Sequence, residues 1–357
     1  MQKQADLRYQ SLDGVRGLAA LMVMFCHGFG HSQTLLDHAW RWKLHGDHGL
    51  FIFFTVSGYC ILAAIESSPQ QSFPTYFIRR CLRIFPPFWA SIAFSVALML
   101  LTVMTGQRQI PWLDTFPSAS QWLHILTLTH TNLGIGDPYN GVSWTLCYEL
   151  QFYIALGVML YMPRRLWSWY LFLLTVLSVL VRAVPAVRSV SPMFLYHFPE
   201  FALGCAVCIW LSGQYSRWLT VAIMLAVAVI PCFEFQETWR LAALHEKSDR
   251  YGLLTSMVTA LALIVLCNYD SALAKLKVMR LLIFVGSFSY SLYLIHFPLM
   301  NRVQKLFARF VDIDHHLGWA LVSFITAMAI ALVTAWLFSL VIEVPSIRWS
   351  RQYGKKR

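Results

Sequence analysis

The chain has 357 residues, of which 58% are hydrophobic and 13% charged, and its formal net charge is +11. Soluble domains usually carry about 25% charged residues, so this composition excludes an ordinary globular enzyme and fits a chain held largely in lipid. The basic residues fall mostly in short segments between apolar runs, with no basic stripe interleaved with aromatics. They read as a topology signal and not as a nucleic-acid surface.

Apolar runs near the ~20 residues that cross a bilayer recur from end to end. They predict an all-α, polytopic membrane helical bundle of about ten transmembrane helices, forming one integral-membrane domain over residues 1–357. The first run, 14–29, has Lys3, Arg8 and Asp13 before it and Arg16 at its start and no convincing small-residue cleavage site, so it is expected to be a retained span. The next runs are 50–65 and 85–104, with Pro86 and Pro87 expected in the first turn of the latter, where a missing N–H costs little. An outer segment, 105–144, contains the apolar stretch 122–129. As a helix that stretch is only ~12 Å long, too short to cross, and it is expected at the interface or dipping back toward a site. The remaining runs are 145–162, 166–183, 193–211, 218–233, 252–267, 281–300 and 317–342. With the N terminus inside, about 17 of the 28 Lys and Arg fall on the cytoplasmic side. The tail Lys355-Lys356-Arg357 is among them, so both termini are expected in the cytoplasm.

Ionisable groups inside spans are costly and therefore candidates for function. Arg16 and His27 share the first span, ~16 Å apart along a helix. That puts Arg16 near the cytoplasmic face and His27 well inside or toward the outer side. The fourth span enters from outside with Trp144, Glu149, Gln151 and Tyr153, and Glu149 lies less than two turns in. The ninth carries Tyr290, Tyr293 and His296 at successive i, i+3 spacings. Each has a plain structural reading: a hydrogen-bonded core histidine, a carboxylate paired with a buried cation, packed aromatics. Three at matched depth suggest a buried polar pocket suited to general acid–base chemistry.

Arg79, Arg80 and Arg83 precede the third span. Arginines suit phosphates through planar, bidentate hydrogen bonds, although the inside preference for positive charge would also put them there. Other chemistries find little support. His31, His38, His45 and His48 lack a tight metal-ligand spacing, and Cys205-x-x-Cys208 sits in an apolar run without a second pair and reads as buried thiols. Ser57 has no G-x-S-x-G context, and no Gly-rich phosphate loop occurs.

Taken together, these motifs resemble the acyltransferase 3 family of integral membrane acyltransferases. Leu12-Asp13-Gly14-Val15-Arg16-Gly17 running to His27 is similar to its arginine, ten residues, histidine signature, and Phe53-Phe54-Thr-Val-Ser57-Gly58-Tyr59 to its second-span motif. Arg80-x-x-Arg83 followed by Ile-Phe-Pro-Pro, Ser143-Trp144-Thr-Leu-x-x-Glu149-x-Gln151-Phe-Tyr153, Ser289-Tyr290-x-x-Tyr293-x-x-His296 and Glu343-x-Pro345 resemble its later elements, in order along essentially the whole chain. Many family members append an extracytoplasmic hydrolase-like domain; the expectation here is the standalone form.

The resemblance implies a multi-pass protein of the bacterial inner (cytoplasmic) membrane that moves an acyl group, acetyl first and succinyl as an alternative. The donor would be cytoplasmic acyl-CoA and the acceptor a hydroxyl of a cell-surface or lipid-linked carbohydrate. It implies His27 as general base, Arg16 supporting the thioester or CoA arm, and Glu149 orienting a histidine or the acceptor. His296 would line the catalytic pocket. Arg79, Arg80 and Arg83 would grip CoA phosphates, with Trp144, Tyr153, Tyr290 and Tyr293 lining the substrate site. No metal is expected, since a thioester can be attacked without one, and an acyl-histidine relay is a second route. The rival reading is a secondary transporter or flippase of a glycan precursor. Inverted halves would favour it, and none are seen.

Overall fold

A computed structural model describes residues 8–28, 46, 48–104, 117–184, 193–213, 217–230 and 248–354. Lys3, His31, His38, His45, Cys232 and the tail Lys355-Lys356-Arg357 lie outside the described residues. Among the described residues the regular structure is helical, as composition predicts. In chain order it comprises α1 (Gln10–Gly28), α2 (His48–Glu66), α3 (Phe73–Met104), α4 (Ala119–Leu126), α5 (Trp144–Gly157), α6 (Arg164–Ala183) and α7 (Met193–Ser212). It continues with α8 (Arg217–Ala228), α9 (Ser248–Asn268), α10 (Lys277–Gly286), α11 (Ser289–Phe307), α12 (Leu317–Phe338) and α13 (Val344–Gln352). A π-helical turn, Ser339–Glu343, joins the last two.

Five of these helical stretches among the described residues are long and apolar enough to cross a membrane, or up to six if α10 and α11 form one broken span. The five are α2, α3, α6, α7 and the α12–α13 run. The composition of α12 shows why. One face, with Ala320, Ala327, Ala331 and Ala335, is buried, while Leu321, Ile325, Val333 and Leu337 are exposed. In water such a surface would be untenable; in lipid it is the solvent-facing side.

Two expectations need correction. Pro86 and Pro87 do not open the third span, because α3 starts at Phe73 and both prolines lie in its interior. An interior proline leaves the carbonyl four residues earlier without its helical donor. For Pro86 that carbonyl is Leu82, and the Ser346 hydroxyl of α13 donates to it instead. The ninth run is also not one helix. Ser287 Oγ donates back to the Phe284 carbonyl at 2.6 Å, Phe288 leaves helical dihedrals (φ −125°, ψ 22°), and α11 begins at Ser289. The short helix α4 starts slightly earlier than the apolar stretch, because Ser118 and Gln121 form a reciprocal capping box at its start.

The chain divides into two compact units built from interleaved segments. The first comprises Met1–Ala19, Asp47–Phe77 and Tyr148–Ser287. Its centre is α7, which packs against α2, α6, α8 and α9. A glycine on each partner allows α2 and α7 to touch through their backbones. A Cβ on Gly58 would run into the Phe201 carbonyl, and one on Gly204 into the Thr55 carbonyl. Because each obstacle is backbone, Gly204→Val is expected to lower stability by about 1–3 kcal/mol, the usual cost of overpacking. Thermal unfolding of detergent-solubilised protein, followed by circular dichroism, measures it. The N terminus of α1 is fixed in the same unit by Asp270, whose carboxylate accepts from the backbone N–H groups of Ser11 (2.7 Å) and Gln10 (3.2 Å).

The second unit comprises Ala20–Gly46, Ile78–Cys147 and Phe288–Arg357. Here α11 packs along α12. The start of α11 has no side-chain cap of its own. Glu343, buried in the π turn, supplies one from a distant part of the chain, accepting from Ser291 N–H at 3.1 Å and from Ser291 Oγ at 2.5 Å. A carboxylate at a helix N terminus satisfies orphan donors and the helix dipole together. Glu343 of the closing Glu-x-Pro thus caps α11.

Candidate active site

The second unit brings together two of the predicted residues. His27 sits in the last turn of α1 and is half-buried, while His296 on α11 is 1% exposed. Their nitrogens, His296 Nε2 and His27 Nδ1, are 3.0 Å apart, with ring centroids 5.0 Å apart and inclined at 47°.

The carbonyls around the pair assign its protons. A carbonyl can only accept, so the His296 Nδ1 facing Tyr293 O (2.8 Å) and Leu292 O (3.0 Å) carries hydrogen. Its Nε2 is therefore the lone-pair nitrogen and accepts from His27 Nδ1–H, which also lies 3.0 Å from Val23 O. The basic nitrogen of His27 is then Nε2. Phe297 packs edge-on to His27 at 5.2 Å, and Gln304 Nε2 donates to the Gly28 carbonyl at 2.9 Å, tying the end of α1 to α11.

Glu149, expected beside these histidines, belongs to the first unit. Its carboxylate accepts from Tyr153 OH at 2.7 Å and from Ser57 Oγ at 3.5 Å. The Tyr153 backbone is in turn held by Tyr76 OH at 3.2 Å. Arg16, also in the first unit, lies 3.9 Å from Asp13, an i,i+3 pair of modest worth at such exposure. Arg79, Arg80 and Arg83 lie on α3 in the second unit, half-buried, and Arg79 Nε donates to the Tyr353 carbonyl at 2.9 Å. Of the predicted substrate-lining residues in this unit, Trp144 opens α5 and is half-buried. Tyr290 donates to the Ile84 carbonyl at 3.0 Å. The buried Tyr293 hydroxyl lies 2.8 Å from Thr145 Oγ1 and donates to the Val142 carbonyl at 3.0 Å.

Two groupings were missed by sequence reasoning. In the first unit Arg182 and Glu200 form a fully buried ion pair at 2.5 Å; a charge inside each of two apolar runs was the available signal. In the second unit the segment between α4 and α5 carries a buried polar chain. Ser143 Oγ donates to Asp137 Oδ2 at 2.7 Å and accepts from His130 Nε2 at 3.1 Å, and His130 Nδ1 faces the Cys147 thiol at 3.6 Å. Burial holds the His130 imidazole below its ordinary range, opposed by the nearby Asp137 charge. Burial raises the Asp137 carboxyl, opposed by hydrogen bonds from Ser143, Tyr139 and Asn140. Leu128, just upstream, is held at φ 56°, a region most side chains avoid. Among the described residues no group of three or more His, Cys, Asp or Glu could hold a metal ion.

Comparison with known proteins agrees with this arrangement of motifs. The chain is 33% identical to Nodulation protein 10 of Rhizobium leguminosarum bv. viciae over 162 residues, covering 38% of this chain and 43% of that protein. It is 24% identical to Acyltransferase MdmB of Streptomyces mycarofaciens over 385 residues, covering 96% and 92%. It is 22% identical to O-acetyltransferase OatA of Staphylococcus aureus (strain NCTC 8325 / PS 47) over 334 residues, covering 87% and 53%. The chain thus spans about half the length of several curated relatives and nearly all of another. No solved structure matches it. The family profile described as "Acyltransferase domain" matches residues 9–343, from before Arg16 to Glu343, and the chain belongs to this acyltransferase 3 family.

Proposed function

We propose that the chain is an integral-membrane O-acyltransferase that moves an acyl group, acetyl in the first instance, from cytoplasmic acyl-CoA to a hydroxyl of a cell-surface or lipid-linked carbohydrate. The observation that carries this reading is the His27–His296 pair, whose proton arrangement leaves His27 Nε2 as the basic nitrogen. The names of relatives add support, OatA as an O-acetyltransferase and MdmB as an acyltransferase.

In the proposed step, His27 Nε2 removes the proton of the acceptor hydroxyl as its oxygen attacks the thioester carbonyl. The tetrahedral intermediate collapses, the carbon–sulfur bond breaks, and the proton on His27 passes to the departing CoA thiolate. Throughout, His296 Nε2 accepts from His27 Nδ1–H and keeps the ring in its working tautomer. This is the orienting role that a carboxylate plays in other base-assisted nucleophilic sites. Arg79, Arg80 and Arg83 hold the CoA phosphates, with Trp144 and Tyr290 beside the substrates and Tyr293 bracing the wall. Arg16, Glu149 and Tyr153 enter the proposal through the family motifs. The same reading has about ten spans with both termini in the cytoplasm of a bacterial inner membrane.

Arg80→Gln/Arg83→Gln tests the donor assignment. Each charge-assisted hydrogen bond contributes about 1.5–3 kcal/mol, so KM for acetyl-CoA is expected to rise at least ~10-fold with kcat largely retained. Purified full-length protein in lipid nanodiscs, labelled acetyl-CoA and a cell-surface glycan fraction give both constants. An unchanged KM would remove the arginines from the donor site. Labelled acetyl-CoA left intact with every acceptor fraction would reject the reaction.

A further inference from the structure

The transfer step leaves the loop between α4 and α5 without a role, yet this loop contains some of the most buried polar groups of the second unit. Asn140 and Ser143 are both fully buried. Asp137 organises the loop by accepting from the backbone N–H groups of Tyr139 (2.9 Å) and Asn140 (3.0 Å), while its other oxygen accepts from Ser143. Ser143 N–H closes the turn on the Asn140 carbonyl at 3.0 Å.

The Asn140 side chain leaves the loop and reaches α11. Its Nδ2 donates to the Leu294 carbonyl at 3.1 Å and to Ser91 Oγ at 3.1 Å. The orientation of the amide is not ambiguous. The Leu294 carbonyl can only accept, and Ser91 already spends its hydrogen on the Phe88 carbonyl at 2.7 Å. Leu294 is no ordinary helical residue either. Pro298 lies four positions later inside α11 and has no N–H. The Leu294 carbonyl has therefore lost its helical donor, and Asn140 replaces it.

That repaired turn is the one that carries His296. The residues on either side of the replaced bond hold the pair: Leu292 and Tyr293 carbonyls fix His296 Nδ1, and Phe297 packs on His27. The same loop touches this turn twice more. Val142 O accepts from Tyr293 OH, and a Cβ on Gly141 would come within 3.3 Å of Phe297.

We infer that Asn140 is a positioning residue for the His27–His296 pair, substituting for the hydrogen bond that Pro298 removes and thereby fixing the turn that presents His296 to His27. The Asp137–Ser143–His130 chain holds Asn140 in place. The rate readout below rests on the transfer reaction proposed above; the spectroscopic readout does not.

The test uses the full chain in nanodiscs. Asn140→Ala is expected to lower kcat about 10- to 100-fold, the scale of a misplaced reacting group, with KM for acetyl-CoA unchanged. Asn140→Ala/Pro298→Ala restores an N–H at position 298 that can donate to Leu294, and it is expected to recover most of the lost rate. Because removing an interior proline also stabilises a helix, thermal midpoints are read beside the rates: a kcat loss in Asn140→Ala at an unchanged midpoint marks positioning, and a kcat loss that only follows the midpoint overturns the inference. Ser91→Ala keeps the Leu294 bond and is expected to stay within about threefold of the parent, the scatter usual for a change away from the contact that matters. If Asn140→Ala fails to fold, the double variant decides: an active protein supports the inference and an inactive or unfolded one overturns it. Wild-type kcat in Asn140→Ala, or a Ser91→Ala loss as deep as that of Asn140→Ala, would also overturn it. Should the parent protein transfer no acyl group, the functional reading fails. Positioning is then judged by the 15N shifts of His27 and His296. A changed tautomer signature in Asn140→Ala, restored in the double variant, supports the inference, and identical spectra refute it.

Discussion

His27→Ala is expected to reduce kcat for acyl transfer by about 10²–10⁴, the usual contribution of a positioned general base, while the protein stays folded and retains its affinity for acetyl-CoA. The ring is half-buried and rests against Phe297 and His296, and the loss is expected to fall on the chemical step. His296 separates orientation from simple bulk. His296→Leu removes the acceptor for His27 Nδ1–H and should approach the His27→Ala rate. His296→Gln can place an amide oxygen near the old Nε2 position and should retain more activity than leucine. Single-turnover measurement with labelled acetyl-CoA checks this order. Equal rates for glutamine and leucine would show that acceptance of the His27 proton does not matter.

The second large effect concerns stability. Glu200→Ala leaves the Arg182 guanidinium, 1% exposed, buried without its carboxylate. Breaking such a pair costs about 3–5 kcal/mol, whereas replacing both partners with apolar residues is often neutral or better. The remaining Arg182 contacts soften the loss without removing it: Nε donates to the Tyr196 carbonyl at 2.6 Å, and the guanidinium lies 4.5 Å from the Tyr196 ring. Thermal unfolding should therefore rank the double variant Arg182→Met/Glu200→Leu well above Glu200→Ala. Equal midpoints for Glu200→Ala and the parent would mean that the pair carries no weight.

The helical class and the residues of the central pair were legible in the sequence because each rests on a local signal. Apolar runs of span length predict helices such as α2, α7 and α12, and a histidine inside such a run is conspicuous by its cost. The continuity of α3 through Pro86-Pro87 was not legible. It depends on a hydroxyl from Ser346, far along the chain, taking the orphaned Leu82 carbonyl. The link from Asn140 to Leu294 was hidden for the same reason, across a separation of 154 residues. Asn140 sits in a loop with no hydrophobic period, and nothing in its neighbours points to Pro298. The Ser57 hydroxyl that reaches Glu149 was likewise not legible, because it comes from a helix 92 residues earlier.

The most direct measurement is mass spectrometry of surface glycans from cells in which the chromosomal copy is deleted and either the parent chain or His27→Ala is supplied at matched membrane abundance. The account predicts that the parent restores an acyl-sized mass increment on carbohydrate and that His27→Ala leaves the glycan unmodified. Full restoration of the increment by His27→Ala would contradict it.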